Sequence, residues 1–256
     1  LEHSGPGDWT AVHRRYGLLP WSLESNAHFQ SMELAQHRNA LLLITGKPGS
    51  GKTTLISRVF AELKKQTRIS TTGFLTEEVR EAPDRRSRRI GFDVVLLDNP
   101  DIRAPLARCV DSLMSLSPRS SPRVGQYVVN VQSFEQLAVP CIQSVLDKLN
   151  TSSNSSSERP AVCVIDEIGK MELLCPIFAG RLEKLLARMA ESQNTILLAT
   201  VPSPRGSKDS RRGIRLVDDL CTHPQARIFE VTYANRESLV QEVIQSVLQQ
   251  FSGVMP

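Results

Sequence analysis

The stretch LLLITGKPGSGKTTLISRVF, residues Leu41–Phe60, carries the strongest structural signal in the chain. Its apolar beginning, which extends over Ala40–Thr45, is typical of a strand covered on both faces. Apolar residues then recur at helical spacing, which predicts an amphipathic helix over Lys52–Gln66. The residues between them, Gly46–Thr53, match the pattern G-x-x-x-x-G-K-[ST]. A strand, a glycine-rich turn and a helix in this order predict a phosphate-binding loop (P-loop).

The residue types in this turn indicate what it binds. Glycines let the backbone bend so that successive N–H groups point inward, and the following helix adds the positive end of its dipole. Lys52 can reach the β- and γ-phosphates of a nucleotide, and the Thr53 hydroxyl is placed to ligate Mg²⁺. We therefore expect the turn to hold nucleotide phosphates, with Mg²⁺ as the cofactor.

A second motif, AVCVIDEIGKMELL at residues 161–174, ends a buried strand in two acidic residues. An Asp at the tip of a parallel strand lies at the carboxyl edge of the sheet, where open α/β sheets bind ligands. Asp166 is therefore expected to hold Mg²⁺ together with Thr53, directly or through water. Glu167 is the candidate that orients or deprotonates an attacking water. The structural alternative is an acidic cap on a helix that follows a core strand.

The rest of the chain alternates strand-like and helix-like segments. The predicted strands are Ala40–Thr45, Gly73–Val79, Ile90–Leu97, Gln126–Val131, Ala161–Asp166, Thr195–Val201 and Arg227–Thr232. The predicted helices are Lys52–Gln66, Phe134–Leu149, Phe178–Met189 and Arg236–Phe251. This alternation predicts an α/β fold whose central sheet is mostly parallel and is covered by helices on both faces.

Size and composition limit the organisation of the chain. The 256 residues are 40% hydrophobic and 23% charged, which suffices for one core domain with a tail. We expect a P-loop domain over residues 39–256, an N-terminal extension over 1–38, and a flexible insertion in the Ser-rich segment 151–160. The net charge of +4 is compatible with anionic ligands and is too small to indicate nucleic acid by itself.

Cysteine usage and hydropathy bear on the compartment. The five cysteines form no C-x-x-C pair, and no apolar run approaches the roughly 20 residues that span a bilayer. We therefore expect reduced thiols, no structural zinc site and no membrane partner. The oligomeric state is left open by the sequence, with a monomer favoured. The expected location is intracellular and cytoplasmic, with an organelle or the nucleus as alternatives.

Several charged residues each have two interpretations. Glu77 and Glu78 point to opposite faces of a strand, and one of them could approach the nucleotide as an alternative base or an outer-sphere metal ligand. The alternative is that one is exposed to solvent and the other is paired with an arginine. Lys170 either neutralises phosphoryl charge or is a surface lysine. Two basic clusters are each either a solvated loop or a functional element. The first could serve as an arginine finger, a nucleic-acid contact or a targeting patch. The second could close over phosphates as a lid. The first cluster comprises Arg85, Arg86, Arg88 and Arg89, and the second Arg205, Lys208, Arg211, Arg212 and Arg215.

Five segments in this order resemble one known family: TGKPGSGKTTL, GFLTEEVR, RIGFDVVLL, VGQYVVNVQSFEQLA and VCVIDEIGKMEL. The family is that of the cancer-related nucleoside-triphosphatases, small P-loop proteins related to an NTPase first described from hyperthermophilic bacteria. The resemblance covers roughly residues 39–251. It implies a three-layer α/β/α P-loop fold of the RecA-like type and slow, Mg²⁺-dependent hydrolysis of ATP, GTP and other triphosphates.

The resemblance also implies which residues contact the nucleotide. They lie along Gly46–Thr54 and around Asp166–Gly169. The nucleotide-binding residues so expected are Gly46, Lys47, Pro48, Gly49, Ser50, Gly51, Lys52, Thr53, Thr54, Asp166, Glu167, Ile168 and Gly169. Lys52 and Glu167 are the expected catalytic residues, and Thr53 and Asp166 the expected metal ligands.

Three functions of different classes fit the sequence. The first is a nucleoside-triphosphatase that converts ATP, GTP and other triphosphates to diphosphate and phosphate with relaxed base specificity. The second is a nucleotide or small-metabolite kinase, although no acceptor site is evident. The third is a partner-activated nucleotide switch, although the guanine-reading N-K-x-D is absent after any late strand. A nucleic-acid-dependent ATPase stays open because of the basic clusters, so nucleic acid is an optional partner.

Overall fold

The sheet that carries the P-loop contains five parallel strands. Strand β1 (Leu41–Gly46) lies between β8 (Thr195–Thr200) and β9 (Ala226–Val231), and β7 (Ala161–Ile165) lies between β8 and β2 (Ser70–Arg80). The structure is a computed structural model that describes residues 39–83, 87–110, 121–151, 159–203 and 214–252. Because these strands are parallel, their carboxyl ends lie at one edge of the sheet.

Four further strands extend the sheet beyond β2. In spatial order they are β3 (Arg89–Leu96), β4 (Arg103–Cys109), β6 (Tyr127–Val129) and β5 (Arg123–Val124). Each of them is antiparallel to its neighbours, starting from the pair of β2 with β3. Antiparallel pairs can be joined by short turns, whereas the parallel strands need crossover connections, and helices supply these. The α/β class and the mostly parallel central sheet predicted from the sequence are confirmed.

Helices cover both faces of the sheet. Those within the described residues are α1 (Lys52–Leu63), α2 (Val131–Thr151), α3 (Pro176–Glu191), α4 (Arg215–Cys221) and α5 (Leu239–Gln250). The apolar residues of α1 and α5 share one core with Leu42 of β1, and those of α2, α3 and α4 share the other core with Leu43. Successive strand residues point to opposite faces, so a strand between two helical layers is apolar throughout. The result is the expected three-layer α/β/α arrangement.

The second of these cores contains a cluster of three aromatic rings. Phe74 of β2, Phe134 of α2 and Phe178 of α3 are fully or almost fully buried. Their ring centroids are 5.8 Å, 5.9 Å and 4.9 Å apart in edge-to-face arrangements. Edge-to-face contact is a favourable geometry for aromatic pairs because it brings a positive ring edge to a negative ring face. The cluster ties the two long helices to β2 directly beneath the edge where the parallel strands end.

The sequence prediction is wrong or incomplete at three elements. Strand β4 is not predicted because Pro105 and two arginines hide its pattern, and Pro105 stands opposite Asp93 where the register shifts. Strand β5, which begins at Arg123, is also absent from the predicted strands. The predicted basic loop is wrong at Arg215, because this residue begins α4 and pairs with Asp219 at 3.7 Å.

Other predictions fall outside the described residues. They are the extension 1–38, Arg85 and Arg86 of the first basic cluster, and all of the second cluster except Arg215. The Ser-rich segment is covered only at its ends, where Thr151 closes α2 and Arg159 and Pro160 lead into β7. Among the helices that are described, none combines the length and the apolar character needed to traverse a bilayer.

Candidate active site

The P-loop joins the end of β1 to α1 through glycines in left-handed conformations. Gly51, which precedes α1, has φ +105°. A Cβ at Gly46 would lie 2.6 Å from the carbonyl oxygen of Val231 and 2.7 Å from Ser50 Oγ, so only glycine fits there. The Ser50 N–H donates to the Lys47 carbonyl at 3.0 Å and so closes the turn. The loop therefore packs closely against β9 at Gly46.

Lys52 lies over this loop. Its Nζ donates to the carbonyl oxygen of Gly46 at 3.2 Å, which folds the side chain back across the turn. The loop residues Lys47, Pro48 and Gly49 are exposed, and so are Thr53 and Thr54 at the start of α1. The predicted phosphate-binding residues of the loop therefore lie together around the ammonium group of Lys52. An anion that entered the loop would meet this charge and the first turn of α1.

Asp166 follows β7 and is 1% exposed. Its Oδ1 accepts a hydrogen bond of 2.5 Å from the hydroxyl of Thr200, the last residue of β8. Its backbone carbonyl accepts one from the Thr76 hydroxyl, and its N–H donates to the Phe74 carbonyl at 3.1 Å. Three strands thus fix one aspartate at the carboxyl edge of the sheet.

The second carboxylate oxygen of Asp166 is a candidate ligand for the expected magnesium ion. Oδ2 is buried and has no hydrogen-bond partner among the described residues. Burial raises the pKa of Asp166, and the Thr200 and Thr53 hydroxyls and the charge of Lys52 act in the opposite direction. The Thr53 hydroxyl is near enough to lower the pKa of Asp166, but it forms no hydrogen bond of normal geometry with Oδ2. A buried carboxylate oxygen next to a threonine hydroxyl is the kind of oxygen ligand that Mg²⁺ prefers. Asp166 and Thr53 therefore fit a magnesium ion.

The Glu167 side chain lies near Lys52 and Asp166. Burial raises the pKa of Glu167, the positive charge of Lys52 lowers it, and the negative charge of Asp166 raises it further. A Cβ at Gly169 would lie 3.2 Å from Glu167 Oε1, which shows how closely the chain turns around this carboxylate. The structure therefore brings Lys52, Thr53, Asp166 and Glu167 together, as the two sequence motifs predict.

A third carboxylate, Glu172, is not predicted from the sequence. It is 5% exposed, and its Oε2 accepts a hydrogen bond of 3.1 Å from the Gly169 N–H. Burial raises the pKa of Glu172 to about 8, and the negative charges of Glu167 and Asp166 contribute to the rise. Through this hydrogen bond Glu172 holds the turn that follows Glu167. Its only sequence signal is an acidic residue between apolar residues shortly after the Asp–Glu pair.

Thr200 is the other residue that the sequence analysis missed. It is fully buried, and it ends the strand between β7 and β1. A polar residue at the tip of an otherwise apolar strand is the same signal that identified Asp166. The segment TILLAT carries that signal, but its neighbours in the sheet are only visible in the structure.

The alternative acidic residues are engaged elsewhere. Glu77 pairs with Arg103 at 2.9 Å, and Glu78 pairs with Arg80 at 2.5 Å and Arg89 at 2.8 Å. Arg89 thus belongs to an ion-pair network on β2 and β3 rather than to a solvated loop. Lys170 is exposed. Of the acidic residues weighed as the base, only Glu167 is close enough to Lys52 and Asp166 to be influenced by both charges.

Comparison with known proteins identifies relatives that cover this whole region. The model of a family described as NTPase matches residues 41–244. The human cancer-related nucleoside-triphosphatase is 38% identical over 209 residues, which are 80% of this chain and 95% of the relative. Nucleoside-triphosphatase THEP1 of Aquifex aeolicus is 30% identical over 203 residues, 79% of this chain and 96% of the relative.

A solved structure agrees with the sequence relatives. The solution structure of a human cancer-related nucleoside triphosphatase has a TM-score of 0.61 against this chain at 38% identity. The match covers 81% of this chain and 97% of that structure.

Proposed function

The chain belongs to the NTPase family of the cancer-related nucleoside-triphosphatases and THEP1, and we propose that it hydrolyses ATP, GTP and other nucleoside triphosphates to diphosphate and phosphate. The reaction requires Mg²⁺ and discriminates weakly between bases. The observation that supports this most directly is the unpartnered, buried Oδ2 of Asp166 beside Thr53, Lys52 and Glu167. A phosphate-binding loop, a metal ligand and a separate carboxylate are the parts that such hydrolysis needs.

Binding depends on the P-loop. The backbone N–H groups between Gly46 and Thr54, except at Pro48, which has none, surround the phosphates. The Lys52 ammonium exchanges its bond to the Gly46 carbonyl for phosphate oxygens. The residues that would hold Mg²⁺ are Thr53, through its hydroxyl, and Asp166, through Oδ2. When bound, Mg²⁺ neutralises negative charge on the phosphate oxygens.

The chemical step is the transfer of the γ-phosphoryl group to water. Glu167 orients the water and accepts its proton as the new O–P bond forms in line with the breaking bond to the β–γ bridging oxygen. The electron pair of that bond passes to the diphosphate, and the proton is returned to the released phosphate. Lys52 stabilises the charge that develops on the equatorial oxygens. Thr200 keeps Asp166 in place while this occurs.

Water rather than another acceptor is favoured by the position of Glu167. A kinase would hold an acceptor hydroxyl next to its base, whereas here Glu167 stands beside buried Asp166 and Glu172.

We propose in addition that the chain acts as a monomer in an intracellular, cytoplasmic setting and does not require nucleic acid. Ile168 and Gly169 are proposed to contact the nucleotide as well, and the Gly169 N–H is held by its hydrogen bond to Glu172.

The test is phosphate release from ATP and GTP as Mg²⁺ is titrated, in the wild type and in Asp166→Asn. The variant should lose at least about 100-fold in kcat/KM, since several kcal/mol of charge stabilisation depend on the metal. Asp101→Asn, at an exposed aspartate in the turn between β3 and β4, is the control and should behave as wild type. Wild-type turnover in EDTA equal to that in Mg²⁺, or an unaffected Asp166→Asn, would contradict the proposal.

A further inference from the structure

The P-loop has two sides, and only one of them is used by the proposed chemistry. Strand β1 lies between β8, which leads on to β7 and Asp166, and β9. The γ-phosphate must face the Asp166 side, because the metal ligand and Glu167 are there. A triphosphate is a linear chain of groups, so its α-phosphate, ribose and base leave the loop toward the other side. That side is formed by the turn after β9.

This turn is rigid. The Asn235 side chain accepts a hydrogen bond from the Thr232 N–H at 2.8 Å and donates to the Glu230 carbonyl at 2.9 Å. The Arg236 N–H donates to the Thr232 carbonyl at 3.2 Å. The register pairs Gly46 with Val231, so the turn begins directly beside the P-loop. The backbone of the turn is therefore closed by hydrogen bonds and lies next to the phosphate-binding loop.

Two exposed side chains of the turn rest against the P-loop and against each other. Tyr233 is 72% exposed, and its hydroxyl donates to the Gly49 carbonyl at 3.3 Å. The guanidinium of Arg236 lies 5.7 Å from the centroid of the Tyr233 ring. A Cβ at Gly51 would lie 3.6 Å from Arg236 Cδ, so the arginine stem runs along the loop. The loop holds this ring at its hydroxyl edge and Arg236 lies over one face, which leaves the other face available to a planar ligand.

We propose that Tyr233 and Arg236 form a base platform on which the nucleobase of the bound nucleotide stacks. The proposal rests on the proposed function only in that a nucleotide occupies the P-loop. Every nucleobase has a π-face, so stacking on an aromatic ring or a guanidinium plane binds purines and pyrimidines alike. The platform offers no set of donors and acceptors that reads base edges. The substrate class is therefore any nucleoside triphosphate, with the larger purines bound more tightly than pyrimidines.

The test compares ligands with and without a base by calorimetry in Mg²⁺: ADP, GDP and pyrophosphate. None of the three contains a γ-phosphate, so the measurement is independent of hydrolysis. Tyr233→Ala should weaken ADP and GDP binding by about tenfold each, the loss expected on removing one base–aromatic stack. Pyrophosphate affinity should be unchanged. Tyr233→Phe, which keeps the ring and loses only the hydroxyl contact to Gly49, should bind all three ligands nearly as the wild type does.

A second variant guards against loss of folding. Arg236→Met keeps most of the stem and should weaken ADP binding less than Tyr233→Ala does, again without affecting pyrophosphate. Equal losses for ADP and pyrophosphate in Tyr233→Ala would overturn the base platform, because the tyrosine would then only shape the P-loop. Unchanged ADP affinity would overturn it as well. Failure of the proposed hydrolysis is a separate result, since a wild type that binds ADP and releases no phosphate from ATP leaves the platform intact.

Discussion

On one side of the P-loop Asp166 is 1% exposed and Glu172 5%, whereas on the other side Tyr233 is 72% exposed. The buried side holds Asp166 with hydrogen bonds to two strands, β2 and β8, and the exposed side holds its groups with one short turn. Burial strengthens electrostatic interactions and leaves little freedom, which suits a metal and a reacting phosphate. An exposed ring on a rigid turn gives affinity with little dependence on the ligand's hydrogen-bonding groups. The difference separates the site of chemistry from the site of recognition.

Apart from substitution of Asp166 or Glu167 themselves, the largest effect is expected where the buried side loses one hydroxyl. Thr200→Val keeps the shape of the side chain and removes the donor to Asp166 Oδ1. We expect about tenfold or greater loss in Mg²⁺ affinity or kcat, as for other residues that orient a metal ligand. The measurement is phosphate release across a Mg²⁺ titration. Thr222→Val removes an exposed hydroxyl that donates to the Asp218 carbonyl at 3.0 Å, and it should change nothing. Similar activity in the two variants would refute a role for Thr200.

The pH dependence of stability tests the burial of Glu172. Its pKa is raised from 4.5 to about 8 in the folded state. Between these pH values the folded chain holds a proton that the unfolded chain has lost. Its free energy of unfolding therefore falls as pH rises, by up to about 1.4 kcal/mol per pH unit.

Glu172→Gln removes this titration and keeps an acceptor for the Gly169 N–H. In EDTA, urea unfolding at several pH values should show the wild type losing stability relative to the variant from about pH 5 to pH 8. The stabilisation is fully present below the unfolded pKa and is lost as pH passes the folded pKa. Two curves that stay parallel over this range would mean that Glu172 is solvated in the folded protein.

The smallest effect is expected on the exposed side. Asn235→Ala removes the two hydrogen bonds that hold the turn, which should cost about 1 kcal/mol and lower Tm by about 2–4 °C. ADP affinity should fall a few-fold and pyrophosphate affinity should not. Asn99→Ala is the control, because Asn99 holds the distant turn between β3 and β4 by accepting from the Asp101 N–H. If both variants weakened ADP binding alike, the loss would follow from stability and not from the base platform.

The buried side was more accessible to sequence reasoning than the exposed side. The P-loop and the Asp166–Glu167 pair are local patterns, and each adjoins an apolar strand that is recognisable alone. Thr200 has the same local signal, but its value depends on β8 lying between β1 and β7, which is a nonlocal fact. Tyr233 has no periodic signal, because a single exposed aromatic in a turn acquires meaning only from the loop that it touches.

Two parts of the sheet also differ in how well the sequence predicts them. Strands β1 and β7 are apolar throughout because helices cover both of their faces, so they were predicted within a residue at each end. Strand β4 combines Pro105 with two arginines that pair with Asp93, and these charged contacts hide its alternation. The antiparallel extension therefore could not be completed from the sequence, whereas the parallel centre could.

The central claim is that Glu167 directs water at a triphosphate held by the P-loop. The most direct measurement is phosphate release from ATP in Mg²⁺ with no acceptor added, in the wild type beside Glu167→Gln, with nucleotide affinity measured in parallel by calorimetry. The account predicts steady release by the wild type, a loss of about 10²–10⁴-fold in the variant, and similar affinity in both. Undiminished release by Glu167→Gln would contradict it, and so would a wild type that binds ATP and releases no phosphate.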